Sequence, residues 1–61
     1  MDKTTKELVA DDIIVWAECD RDLVVGVTHV PDSDMMRVTV IRNGEPTCFY
    51  AGELGVHEVV R

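Results

Sequence analysis

The chain has 61 residues, of which 46% are apolar and 30% are charged, and its formal net charge is −6. The length excludes more than one domain. The composition is too apolar for a disordered tail and too charged for a membrane-spanning protein. Because so short a chain buries only roughly 60% of its unfolded surface, a metal, a disulfide or a partner subunit is expected to support it.

No targeting signal is expected in the first residues. Residues 1–6 are predicted to be a flexible tail and residues 7–61 one small domain. The polar start lacks the apolar stretch of a signal peptide, and no apolar run approaches the roughly 18 residues of a membrane span. We therefore expect a cytoplasmic protein.

The first half of the chain is predicted to form short strands separated by polar turns. Residues 7–9 are a short strand or a turn leading into one, and the clearest strand, rich in β-branched residues, follows at Ile13 to Glu18. An amphipathic helix over residues 6–18 is excluded because the apolar positions do not recur every 3.6 residues. In the next strand, residues 23–30, Gly26 predicts a bulge or bend. Turns are predicted at residues 10–12 and 19–22.

The second half continues the same pattern. Pro31 cannot donate to a strand ladder and ends the preceding strand in a turn over residues 31–34. Asn43 and Gly44 both tolerate positive φ and predict a type I′ hairpin. Two glycines bound a short helical turn predicted at residues 52–55. Three strands are expected around these turns, at residues 35–42, 47–51 and 56–60.

Alternation along the strands predicts which side chains are buried. Charged residues such as Asp12, Glu18 and Asp22 are taken to mark the faces in water. The predicted inner residues are then Ile13, Val15, Ala17, Leu23, Val25, Val27, Met36, Val38 and Val40.

The same alternation predicts an apolar surface facing water, formed by Ile14, Trp16, Val24 and Ile41. Apolar patches of this kind mark interfaces, and tryptophan often dominates binding energy. These four residues are therefore the predicted partner-binding site. A second interpretation stays open for Trp16, because a strongly curved barrel can bury both faces of a strand and the only tryptophan would then fill the core.

The acidic charge makes direct nucleic-acid binding unfavourable, because phosphate contacts need clustered lysine and arginine. Six such residues are scattered along the chain. The acidic surface serves solubility, or it approaches a basic patch on a partner protein.

Residues that could carry chemistry are few. Cys19, His29, Cys48 and His57 are the right types for a zinc site, but they lack the close pairs that anchor the metal. Cys48 is expected to be a small core residue instead. Ser33 has no nucleophile motif around it, and residues 32–34 lack the glycine and glutamate of a calcium loop. We therefore predict no enzyme, no cofactor and no metal.

The order of elements is similar to that of small Src-homology-3-like barrels, in which one helical turn precedes the last strand. The sequence from Phe49 to Leu54 and the ending Val59-Val60 carry this resemblance, which covers residues 7–60. The chain also resembles short orphan proteins of actinobacteriophages, through Leu8, Asp11, Ile13 and residues 57–60. The resemblance implies an all-β, SH3-like barrel of about five antiparallel strands. Peptide binding is not implied, since it requires more surface aromatics.

The sequence therefore predicts a non-enzymatic protein-protein interaction module. It is expected to be phage-encoded, to act in the host cytoplasm, and to form a homo-oligomer or bind a host or phage protein. Two alternatives remain: an acidic inhibitor that occupies the basic nucleic-acid-binding site of a host enzyme, and a structural component of the virion.

Overall fold

Hydrogen-bonded strands account for most of the chain. The computed structural model describes residues 1–17 and 19–60. The strands are β1 (Asp2–Thr4), β2 (Ile13–Ala17), β3 (Asp20–His29), β4 (Met35–Arg42), β5 (Glu45–Gly52) and β6 (Val56–Val60). Within the described ranges they form one antiparallel sheet in the order β1-β6-β2-β3-β4-β5. The predicted all-β fold is confirmed, but the sheet is open and does not close into a barrel.

Turn chemistry joins β3, β4 and β5 into a meander. Asn43 and Gly44 have φ angles of 52° and 78°. They form a two-residue loop, and the residues on either side of it, Arg42 and Glu45, are directly opposite each other in β4 and β5. This is the predicted type I′ hairpin. Asp32, with φ of 60°, makes the turn between β3 and β4, as the local sequence also predicted.

The predicted irregularity at Gly26 is a β-bulge. The register of β3 against β4 shifts between Val24 and Gly26, which leaves Val25 as the extra residue. Because one added residue reverses the alternation, Val24 lies in the core and Val27, three positions later, packs against it.

Within residues 1–6, where the sequence predicted a flexible tail, Asp2–Thr4 form a strand of the sheet. β1 pairs with β6, and a 3-10 helix, η1 (Thr5–Glu7), follows it. The Glu7 carboxylate accepts hydrogen bonds from the Thr4 backbone N–H and hydroxyl, both at 2.8 Å. These bonds hold the start of η1 and lower the pKa of Glu7.

The connection between β5 and β6 is a β-turn, where the sequence predicted a helical turn. The Gly55 N–H donates to the Gly52 carbonyl oxygen at 2.9 Å. The same connection accepts hydrogen bonds from the N–H groups of Thr5 and Lys6. Within the described residues, the helical turn is therefore η1, which precedes the long strands. It is hydrogen-bonded to the connection between β5 and β6.

One face of the sheet carries the core, and we call it the inner face. Its buried apolar residues, with Leu8 from the loop before β2, are Leu8, Ile14, Val24, Val38, Val40 and Val59. The prediction for β4 is confirmed, since Val38 and Val40 are fully buried and Arg37 is exposed. The predictions for β2 and the first half of β3 are wrong: Ile14 and Val24 are each only 1% exposed, whereas Leu23 and Val25 are exposed.

The error has a physical cause. Asp12 and Asp22 are buried carboxylates, 6% and 1% exposed, although the sequence suggested that they mark the wet face. Asp12 is paired with Lys3, whose ammonium nitrogen lies 2.9 Å from its carboxylate. Asp22 is paired with Arg42 at 2.7 Å. A buried charge is tolerated when a partner compensates it, and here each aspartate lies on the inner face with the core residues.

Candidate functional site

The outer face of the sheet, opposite the core, carries one continuous row of apolar side chains. Residues directly opposite each other in paired strands share a face. Ile13 pairs with Val60 on one side and with Leu23 on the other. Leu23 in turn pairs with Ile41, and Ile41 with Pro46. We call these residues the outer row: Val60, Ile13, Leu23, Ile41 and Pro46.

The outer row is accessible to a partner. Leu23 is 41% exposed and Val60 is 39% exposed. Ile13 and Ile41 are half-buried between their neighbours, and Pro46 is exposed. A contiguous exposed apolar surface on a small domain marks an interaction site more often than scattered apolar residues do.

The four predicted partner-binding residues do not form one surface. Ile14 and Val24 belong to the core, so they are not accessible to a partner. Trp16 is 48% exposed, but it contacts Asp22 and other residues of the inner face. Ile41 alone lies in the outer row.

Sequence reasoning missed the other four members of the row, Val60, Ile13, Leu23 and Pro46. The pairing of Ile41 with Pro46 could have been predicted from the sequence, because the Asn43-Gly44 loop sets the register of β4 against β5. The remaining pairs depend on how β6 and β3 meet β2. No local signal gives that register.

A polar network occupies one end of the inner face. The Asp22 carboxylate accepts the Trp16 indole N–H at 2.7 Å and two guanidinium bonds from Arg42, at 2.9 and 2.7 Å. The Arg42 hydrogen bonds are the main reason why the pKa of Asp22 is lowered, and the same contact raises the pKa of Arg42. The network fixes Trp16 against β3 and β4.

A cleft opens beside this network. Its volume is about 300 Å³, near the lower limit for small-molecule sites, and it is lined by Trp16, Asp20, Arg21, Asp22, Arg42 and Asn43. The Arg42 guanidinium is already engaged by Asp22, which leaves the cleft with charges of both signs. Its chemistry therefore selects no ligand class.

Three rings join the edge strand β5 to the opposite side of the sheet. The centroid of Trp16 lies 5.2 Å from that of Phe49 and 5.9 Å from that of His57, both edge to face. The His57 Nε2 lies 2.8 Å from the Thr5 hydroxyl oxygen. Burial lowers the pKa of His57. We call Trp16, Phe49 and His57 the ring cluster.

The residues considered for zinc lie apart. Cys19 and Cys48 are exposed free thiols, so the prediction that Cys48 is a core residue is wrong. The His29 Nε2 is 3.9 Å from a Glu53 carboxylate oxygen, while His57 lies in the ring cluster. Among the described residues, no three histidine, cysteine, aspartate or glutamate side chains are arranged to hold a metal ion.

Ser33 has a structural role in the turn between β3 and β4. Its hydroxyl donates to the Val30 carbonyl oxygen at 3.2 Å and accepts the Met35 N–H at 3.0 Å. These two bonds close the turn that the sequence predicted at residues 31–34.

Comparison with known proteins gives no relative. No protein-family model, no curated protein and no solved structure matches the chain. In the described part of the chain, no helix is long and apolar enough to cross a membrane.

Proposed function

We propose that the protein is a non-enzymatic protein-interaction module and that the outer row is its contact surface. The observation that carries the proposal is the alignment of five apolar side chains across five adjacent strands, on the face opposite the core. A row of this kind gives a partner a continuous apolar strip that has the exposed charges Arg21 and Glu58 on one side, which resembles the apolar core and polar rim of an interface.

The arrangement of strands supports the proposed relation to SH3-like folds. The last strand β6 lies beside β2, and β2 to β5 form a meander. Through the ring cluster, Phe49 of the edge strand β5 reaches Trp16 and His57, so the sheet is strongly curled. The likeness of the chain to orphan phage proteins supports a phage-encoded origin.

Site-specific photo-crosslinking tests the contact surface. A photoreactive phenylalanine analogue is placed at Leu23 in the outer row, and as a matched control at Val9, an exposed apolar residue outside the sheet. Both variants are expressed in the native host and irradiated. We expect defined protein adducts from position 23 and none from position 9.

Adducts from position 9 alone would contradict the proposal. Val9 lies two residues before the exposed Asp11, so salt-sensitive adducts there would favour the acidic inhibitor of a basic site. Equal adducts from both positions would also contradict it, because they would indicate non-specific collisions.

A further inference from the structure

We propose that the partner of the outer row is a second copy of this chain. The two copies form a symmetric dimer whose two-fold axis lies between their outer faces and is parallel to β2. The inference rests on the proposed function, since it takes the outer row as the contact surface. It adds the identity of the partner and the arrangement of the two copies.

The part of the outer row on β6, β2 and β3 is self-complementary about Ile13, whereas Ile41 and Pro46 lie further out on one side and have no counterpart on the other. Leu23 lies on one side of Ile13 and Val60 on the other, each one strand away. In a symmetric contact, residue i meets residue j and j meets i. A rotation about an axis over Ile13 and parallel to β2 therefore places Ile13 on its own equivalent and Leu23 on Val60 of the second copy.

The charges beside the row obey the same symmetry. Arg21 lies two residues before Leu23 on the same face of β3, directly opposite Val15. Glu58 lies two residues before Val60 on the same face of β6, and both side chains are exposed. The rotation that superposes Leu23 on Val60 thus brings Arg21 of each copy to Glu58 of the other, with opposite charges meeting twice.

Neither Arg21 nor Glu58 forms an ion pair with another described residue of its own copy. Across residues 1–17 and 19–60, the ion pairs are Lys3 with Asp12, His29 with Glu53, and Arg42 with Asp22. Arg21 and Glu58 take no part in them. Both are free to form ion pairs between copies, which would fix the orientation of the dimer.

The size of the domain also suits a second copy. Its accessible surface is 4130 Å², so an interface of standard size, about 800 Å² per partner, would cover about one fifth of it. A domain this small gains stability from such a contact, because a partner that binds only the folded state stabilises it.

Sedimentation equilibrium over about 1–500 µM, a range that brackets weak symmetric dimers, tests the arrangement. We expect a dimer for the wild type and a monomer for Leu23→Lys. Arg21→Glu and Glu58→Arg should each weaken the dimer about tenfold, because each places like charges together at both contacts. The double variant, and an equal mixture of the two single variants, should recover the wild-type affinity.

Arg37→Glu is the matched control. Arg37 is exposed on the same face, but the rotation places no charged residue of the second copy over it, so the affinity should change less than threefold. Circular dichroism confirms that each variant is folded.

The outcomes separate the two proposals. A wild type that stays monomeric overturns self-association, whereas adducts with another protein from position 23 would still support the outer row as a contact surface. A dimer that Leu23→Lys leaves intact overturns self-association through the outer row, and the absence of adducts from position 23 overturns the outer row as a contact surface. A dimer that Leu23→Lys breaks but charge exchange does not restore overturns the two-fold arrangement.

Discussion

At the scale of single residues, compensation of charge decides which side chains are buried. Asp22 is sealed from solvent because Trp16 and Arg42 satisfy its carboxylate. Its position places Ile14 on the same face, since the two residues are directly opposite in β2 and β3. One buried aspartate thus determines that Ile14 belongs to the core.

Two isoleucines of opposite faces test this assignment. Ile14→Ala removes a core side chain and should lower the free energy of unfolding by about 2–4 kcal/mol, most of what a domain this small has available. Ile41→Ala, on the outer row, should cost about 1 kcal/mol or less. Urea denaturation at low protein concentration measures both, and an equal or reversed order would place Ile14 outside the core.

At the scale of elements, the β4–β5 hairpin depends on the conformation of its two-residue loop. The loop requires positive φ at both positions, and Gly44 adopts a φ of 78°. A side chain is strained there even though a Cβ would meet nothing within 4 Å. The register of this hairpin is what places Ile41 beside Pro46 in the outer row.

We expect Gly44→Ala to destabilise the protein by about 1 kcal/mol, because alanine resists the left-handed conformation. Gly26→Ala is the matched control: its Cβ also meets open space, and its φ is outside the strained range. The control should change stability by less than about 0.5 kcal/mol. Thermal melts of the two variants give the comparison, and equal losses would show that loop strain is not the cause.

At the scale of the whole molecule, the ring cluster holds the curled sheet together. Trp16 on β2, Phe49 on β5 and His57 on β6 come from strands that are not all neighbours in the sheet. His57 also faces the Thr5 hydroxyl of η1, and it pairs in register with Lys3 of β1, whose ammonium group binds Asp12. A proton on His57 would introduce a positive charge among these rings.

Stability should therefore fall in mild acid. Because burial lowers the pKa of His57 below its ordinary 6.5, the unfolded chain binds this proton more readily than the folded one. The stabilisation that comes from keeping His57 neutral is fully present above pH 6.5, and it is lost as the pH falls through the pKa that His57 has in the folded state. His57→Phe, which keeps a ring, should reduce this pH dependence. Melting temperatures of the wild type and the variant at several pH values test this, and identical pH profiles of the two proteins would contradict it.

The sequence by itself determined strands β2 to β6, to within a few residues at their ends, and most turns, but it did not predict β1. The Asn43-Gly44 loop, the bulge at Gly26 and the span of β4 follow from local backbone preference and alternation, which act between residues close in the chain. For β2 and the first half of β3, only the tertiary structure decided which face is buried. That choice depends on Lys3 meeting Asp12 and on Arg42 meeting Asp22, 20 positions away. The same holds for the outer row, because its members are aligned by strand pairings between distant segments, and no local pattern encodes such register.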